Sequence, residues 1–196
     1  MKHDPKLMGD HHSMNQALLS KQAAEDNAAF PYGTIHAEIP ECSPAAVAIS
    51  SVQEEIAEED LAGRGLGVGP IHITLRYGIE GDDISAIEAL LATQSPIAAT
   101  LGATSCFPPS ATRDVAVLIA TIECPKLHAL HQRLGEVVDF AEPTHEYKPH
   151  VTVAYVRPEV AEKYVGNQIT AGHRFVITEV LIRTKSKGET IVALNG

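Results

Sequence analysis

Two apolar segments of this chain repeat one pattern, in which a histidine and a threonine stand two residues apart. The first reads "HITLRY" from His72 and the second reads "HVTVAY" from His150, so the two copies lie 78 residues apart. Alternating apolar residues are typical of a β-strand with one buried face, and both segments are predicted to be such strands. Any fold for this chain must therefore place two similar strands, each carrying two polar side chains on one face.

The parity of each strand decides which side chains share a space. Residues two apart on a strand point to the same side, about 7 Å apart along it. His72 and Thr74 therefore face one space, and His150 and Thr152 face another. If the two strands lie in facing halves of the fold, all four groups converge on one cleft.

Two imidazoles and two hydroxyls in one cleft are suited to phosphodiester chemistry. An imidazole accepts or donates a proton near neutral pH, so one can deprotonate a nucleophile while the other protonates a leaving oxygen. Threonine hydroxyls can donate to the non-bridging oxygens of a phosphate and orient it. The pattern predicts His72, Thr74, His150 and Thr152 as catalytic residues, with no metal and no cofactor.

The rest of the chain alternates predicted strands and helices. Their interleaved order indicates one α/β or α+β domain rather than two separate ones. Residues 61–69 ("LAGRGLGVG") are predicted to be a Gly-rich loop, and "HRFVITEVLIRT" is predicted to form a closing hairpin with "ETIVALN". Residues 1–30 are polar and alanine-rich, which predicts a flexible tail before a single domain over residues 31–196.

Charge and composition narrow the class of partner. The formal net charge is −10, which argues against a protein that coats long nucleic acid, because such binding neutralises phosphates. No apolar run is long enough to span a bilayer, so no membrane partner is expected. Three cysteines without a C-x-x-C spacing are interpreted as reduced thiols of a cytoplasmic protein.

The segments "HITL" and "HVTV" resemble the paired motifs of the 2H phosphoesterases, a group that includes bacterial 2′-5′ RNA ligases and cyclic phosphodiesterases. The resemblance extends from about Tyr32 to the C-terminus in element order, and "FVITEVLIRTKSKGETIVAL" is similar to the last hairpin of that family. The fuller forms "PIHITLRYG" and "YKPHVTVAYVRPE" resemble phage-encoded members in particular. Some of those are anti-CBASS proteins, which hydrolyse the cyclic oligonucleotides that bacteria use as antiviral signals.

The resemblance implies an α+β, bilobal fold: two antiparallel-sheet lobes with outer helices and a central cleft. It also implies metal-independent chemistry by the two histidines and two threonines. For a phage-encoded member, the cytoplasm in question is that of the host.

Other residues near the motifs are candidates for substrate binding. Lys148 shares the parity of His150, and Arg76 shares that of His72 one step beyond Thr74. Tyr32 opens the first strand and has a ring that can stack on a base. The tyrosine five residues after each motif histidine has the opposite parity, and we expect it to face the packed side.

Three functional hypotheses follow from the sequence. The first is a phosphodiesterase acting on a small nucleotide, with a cyclic oligonucleotide as the best guess. The second keeps the same site but assigns it 2′-5′ linkages or 2′,3′-cyclic phosphate ends of RNA. The third, of another class, is a catalytically idle protein that binds nucleotides or forms a structural piece of a phage particle. Intact His-x-Thr pairs argue against the third hypothesis. The sequence leaves the oligomeric state open.

Overall fold

The computed structural model describes residues 33–67, 69–110, 113–140, 146–186 and 188–196. The chain divides into residues 1–31 and 32–196, and the tail predicted for residues 1–30 lies outside the described ranges. The described part contains nine strands: β1 (Gly33–Glu38), β2 (Leu61–Leu66), β3 (His72–Ile79), β4 (Ile97–Phe107), β5 (Ala116–Glu123), β6 (His150–Val156), β7 (Arg174–Ile177), β8 (Glu179–Thr184) and β9 (Gly188–Ala193).

Three α-helices are interleaved with these strands: α1 (Pro44–Glu54), α2 (Ser85–Ala92) and α3 (Pro125–Val137). Two 3₁₀ helices, Glu58–Asp60 and Pro158–Tyr164, complete the described elements. The predicted α+β class is confirmed. None of the described helices is long and apolar enough to cross a membrane.

The strands form one curled antiparallel sheet with two matched halves. The strand order is β7-β4-β5-β6-β3-β1-β8-β9, and β2 pairs with β6 beside this path. One half holds β7, β4, β5 and β6, and the other holds β3, β1, β8 and β9. The halves meet where β3 pairs with β6, through Ile73 opposite Val151. The two innermost strands are therefore those that carry the His-x-Thr motifs.

The prediction of one continuous strand over "HRFVITEVLIRT" is wrong. Thr178 interrupts it, so that β7 pairs with β4 at one end of the sheet while β8 pairs with β1 and β9 near the other. Buried residues alternate along β7 and along β8, but the two alternations are out of phase, since Ile177 and Val180 are both buried although they are three residues apart. One residue cannot bridge the two ends of a flat sheet, so the sheet must curl.

The segment from residue 61 to residue 66 is a strand rather than a loop. β2 pairs with β6 through Leu61 and Leu66, with an irregular register between them. Gly63 and Gly65 adopt positive φ angles of 57° and 72° there. Glycine tolerates this backbone geometry, so a Gly-rich stretch that is typical of a loop can still pair as a strand.

The helices cover one face of the sheet and build the core. α1 begins at Pro44 after Ser43, whose Oγ accepts a hydrogen bond from the Ala46 N–H at 3.2 Å. α3 buries Leu127, Leu130 and Leu134 on one side, at the spacing of a helix with one apolar face. The core takes up one face of both motif strands, which leaves the opposite face for the histidines and threonines.

A buried carboxylate fastens β2 to the chain after β6. Asp60 accepts hydrogen bonds from Tyr164 Oη at 2.6 Å, from Lys163 Nζ at 2.9 Å and from Arg157 at 3.3 Å. These bonds, that from Tyr164 first, lower the pKa of Asp60 to about 2. The cluster joins the two 3₁₀ helices and so fixes the position of β2 against β6.

Candidate active site

The two motifs meet at their middle residues. Ile73 lies between His72 and Thr74, Val151 lies between His150 and Thr152, and these two apolar residues are antiparallel partners with almost no exposed surface. In an antiparallel pair the neighbours on either side are also opposed. Each histidine is therefore placed beside the threonine of the other motif.

Both motif histidines have the same tautomer. His72 Nδ1 lies 2.9 Å from the backbone oxygen of Pro70, and His150 Nδ1 lies 2.6 Å from that of Lys148. A carbonyl oxygen only accepts hydrogen bonds, so Nδ1 carries the proton in each ring. Nε2 is then the free atom of both rings, able to accept a proton from one group and to return it to another.

The two histidines differ in their surroundings. Burial lowers the pKa of His150, the hydrogen bond to Lys148 opposes this, and the nearby charge of His72 lowers it further. His72 is exposed. In the described part of the chain, the hydroxyls of Thr74 and Thr152 form no hydrogen bond with another residue, so both are available to a ligand.

A β-bulge follows the threonine in each motif strand. The register between β1 and β3 shifts by one residue after Thr74, and that between β5 and β6 shifts by one after Thr152. The extra residue is Leu75 in the first strand and Val153 in the second. A bulge of one residue reverses the parity of everything beyond it, so the two motifs share their irregularity as well as their residues.

The bulges overturn the expected position of the tyrosines. Tyr77 pairs with Thr34, whereas Thr74 pairs with His36, two residues further along the same strand. Tyr77 therefore faces the same side as Thr74, and it is 42% exposed rather than packed in the core. In the second half, Tyr155 likewise faces the same side as Thr152, because their partners are two residues apart on β5.

Arg76 is turned the other way, so the expectation that it shares the face of His72 is wrong. Beyond the bulge it pairs with the buried Ile35. Its Nε donates to the backbone oxygen of His131 at 3.2 Å, and its guanidinium lies 4.9 Å from the centre of the Phe140 ring. It packs beneath α3, where a side chain larger than that of Gly135 would collide with it.

Of the remaining candidates, Lys148 is exposed and lies two residues before His150, whose ring its backbone oxygen holds. Tyr32 lies outside the described residues.

Two aromatic neighbours of the histidines were missed from the sequence. The His36 ring lies 4.9 Å from that of His72, and the edge of Phe107 meets His150, also with 4.9 Å between centres. His36 is buried. The position of His36 could have been inferred from strand alternation. It lies between the buried Ile35 and Ala37 and therefore faces the opposite side of the strand.

No group of three or more metal-ligating side chains occurs among the described residues. His128 and His131, two α3 histidines with a spacing that can suit a metal, instead both contact the ring of Tyr147.

The sequence profile of the 2′-5′ RNA ligase superfamily matches residues 40–187, a range that includes both motifs. The chain belongs to this superfamily. Members of the superfamily, the 2H phosphoesterases, act on phosphodiester bonds, and this chain is accordingly a phosphodiesterase-type enzyme. No curated protein matches the sequence significantly.

Solved structures of other proteins share the superfamily fold. TT0787 of Thermus thermophilus is 20% identical, with a TM-score of 0.56 over 84% of this chain and 95% of that one. Kluyveromyces marxianus Usb1 with uridine monophosphate is 11% identical, with a TM-score of 0.55 over 84% and 99% of the two chains. E. coli LigT complexed with NADP⁺ is 18% identical, with a TM-score of 0.52 over 84% and 95%. These likenesses concern the fold.

Proposed function

We propose that the protein cleaves a phosphodiester bond of a small nucleotide by acid–base catalysis from the two motif histidines, without a metal ion. The observation that carries this proposal is the matched tautomer of the two rings, each held by a backbone oxygen so that Nε2 is free. The two strands that carry them pair directly, which supports the action of one ring as proton acceptor and of the other as proton donor on the same phosphate.

The difference in burial assigns the roles. Burial lowers the pKa of His150 and so favours its neutral form, and its Nε2 accepts the proton of water or of a ribose 2′-hydroxyl as that oxygen bonds to phosphorus. His72, protonated from solvent, gives its Nε2 proton to the leaving oxygen as the bond from phosphorus to that oxygen breaks. The reaction leaves His150 charged and His72 neutral, and exchange with solvent resets both.

The threonine hydroxyls orient the phosphate between the rings. Thr74 and Thr152 each lie two residues from their histidine, and each can donate to a non-bridging oxygen. Lys148, exposed beside the second motif, supplies a positive charge to the same phosphate or to its neighbour. Changing Lys148 to Ala should raise KM if that charge only holds substrate, and lower kcat if it acts in the transition state.

For the substrate class we favour cyclic oligonucleotides, such as the signals that anti-CBASS proteins degrade. The net charge of −10 opposes a long polyanion but admits a small ligand in a local cleft. A closed ring also loses less conformational freedom on binding than a linear chain. A cytoplasmic location, that of the host for a phage-encoded protein, accompanies this proposal.

The test is a comparison of rates on a cyclic dinucleotide, a cyclic trinucleotide and a linear dinucleotide with the same bases, with products identified by mass. Turnover should be faster on the cyclic substrates and should change little between low and moderate salt, because few counterions are released. Preference for long single-stranded RNA with a steep loss at high salt would refute the choice of substrate. Retention of the cyclic ligand without any turnover would favour an idle binding protein.

Processing of RNA ends is the second candidate, and the match to the 2′-5′ RNA ligase superfamily favours it. Usb1 with uridine monophosphate and LigT with NADP⁺ show that this fold accepts mononucleotide and dinucleotide ligands. The substrate comparison should therefore include a 2′-5′ dinucleotide and a 2′,3′-cyclic mononucleotide. Faster turnover of these than of any cyclic oligonucleotide would assign the site to RNA.

The exposed tyrosine of the first half provides a surface for a base. Stacking on an aromatic ring contributes about 1–3 kcal/mol per base, so Tyr77→Ala should raise KM about tenfold or more with little change in kcat. Tyr77→Phe keeps the ring and should behave as the wild type. Steady-state kinetics of both variants decide the point, and equal KM values for Tyr77→Ala and the wild type would exclude the stacking role.

A further inference from the structure

The carbonyl oxygen of each bulge residue accepts a hydrogen bond from a side chain on a helix. In β6, the backbone oxygen of Val153 accepts from Gln53 Nε2 of α1 at 2.9 Å and from the N–H of Gly67, also at 2.9 Å. The same Gln53 amide lies 3.3 Å from the Gly67 oxygen, so it joins the end of β2 to the bulge. Val153 has no exposed surface, and the bond from Gln53 to its oxygen is partly buried.

The first half of the sheet has the same arrangement with a different side chain. The backbone oxygen of Leu75, which is likewise fully buried, lies 2.6 Å from His131 Nδ1 of α3. Because the carbonyl only accepts, Nδ1 of His131 carries the proton. The ring is held flat against Tyr147, with 3.9 Å between centres and an angle of 6° between planes. Two helices thus supply one donor each to equivalent points of the two motif strands.

The bulges decide which residues reach the cleft. A strand that paired regularly beyond Thr74 or Thr152 would turn its tyrosine to the packed side. A buried carbonyl without a donor is costly, and a strand can avoid this cost by returning to regular pairing. The helix donors therefore stabilise the register that the candidate site uses.

We propose that Gln53 and His131 are positioning residues that hold the two bulges, and thereby direct the tyrosine of each motif to the face that carries the histidine and the threonine. Neither side chain contacts a motif histidine in the described part of the chain, so each acts through the strand backbone. The kinetic consequence rests on the proposed function, whereas the consequence for strand register does not.

The experiment removes each donor while keeping the shape of the side chain. His131→Phe retains a ring against Tyr147 but has no N–H, and His131→Gln loses the ring but keeps a donor of the type found in the other half. Gln53→Met removes the side-chain donor of the second half, where the Gly67 N–H remains on the Val153 oxygen. The matched controls are His128→Phe and Gln132→Met, two exposed positions on α3.

The first readout is the strand register, measured by NMR through the cross-strand contact between Thr34 and Tyr77. This contact should be lost in His131→Phe and retained in His131→Gln, in both controls and in the wild type. For Gln53→Met the corresponding contact joins Val117 and Tyr155. If His131→Phe does not fold, Gln53→Met gives the same test in the other half.

The second readout is turnover of the substrate identified in the panel above. In fully folded protein His131→Phe should raise KM about tenfold, as Tyr77→Ala does, because a regular register turns Tyr77 away from the cleft, and His131→Gln should restore most of it. Gln53→Met should raise KM less, because the Gly67 N–H still donates to the Val153 oxygen. A purely structural role would lower the melting temperature and leave KM of the folded protein unchanged. Retained cross-strand contacts in both donor-free variants would overturn the proposal. Loss of the contacts in the variants, together with no turnover of any substrate by the wild type, would support this proposal while refuting the proposed function.

Discussion

Replacing either motif histidine with alanine is expected to lower kcat by about 10²–10⁴-fold, the usual contribution of one general acid or base. His72 and His150 present the same free atom, Nε2, to the proposed cleft. Thr74→Ala and Thr152→Ala should cost less, because water can partly replace a hydroxyl donor. Steady-state kinetics of the four variants give the comparison, with His128→Ala on α3 as the control for loss of a histidine.

The double variant of His72 and His150 should be little slower than either single variant. Groups that act as one unit lose most of their effect when the first is removed. Effects that multiply, so that the double variant loses the product of the two single losses, would show that the histidines act independently and not on one phosphate.

The second large effect concerns acid stability and arises from His36. Burial first, and then the charges of His72 and Arg183, lower the pKa of His36 to about 4, while Glu189 opposes them. An unfolded histidine has a pKa of about 6.5, so between these values the unfolded state binds more protons than the folded state. The stability due to neutral His36 is therefore complete above about pH 6.5 and is lost as the pH falls towards 4. The shift corresponds to about 3 kcal/mol at pH 4.

His36→Gln should remove this part of the acid sensitivity, because an amide does not titrate. The free energy of unfolding in urea, measured at pH 7 and pH 4.5, should fall less for His36→Gln than for the wild type. His173→Gln, at a histidine for which no such ring contact is found in the described chain, is the matched control. Equal losses for His36→Gln and the wild type would mean that His36 takes up its proton without cost.

Periodicity predicted the motif strands, because alternation along a strand depends only on which face is buried. Ile73 and Val151 pack as predicted, and the parity of His72 with Thr74 holds because no irregularity separates them. The α+β class also followed from the interleaved order of strands and helices. These features depend on residues close together in the chain.

The features that the sequence did not predict depend on partners distant in the chain. The bulge at Leu75 is visible only in its register with β1, and its carbonyl is held from a helix 56 residues away. Parity counted through the bulge therefore placed Arg76 in the cleft and Tyr77 in the core, the reverse of the structure. The break at Thr178 also depends on distant residues, since β7 before it pairs with β4 whereas β8 after it pairs with β1.

The central claim is that two histidines and two threonines complete the chemistry without a metal ion. Its most direct test is the turnover rate of a cyclic dinucleotide by protein treated with EDTA, compared with untreated protein and with treated protein to which zinc is returned. The account predicts equal rates in all three, because the proton acceptor, the proton donor and the phosphate donors all belong to the chain. Complete loss of turnover in EDTA, restored by zinc, would contradict it.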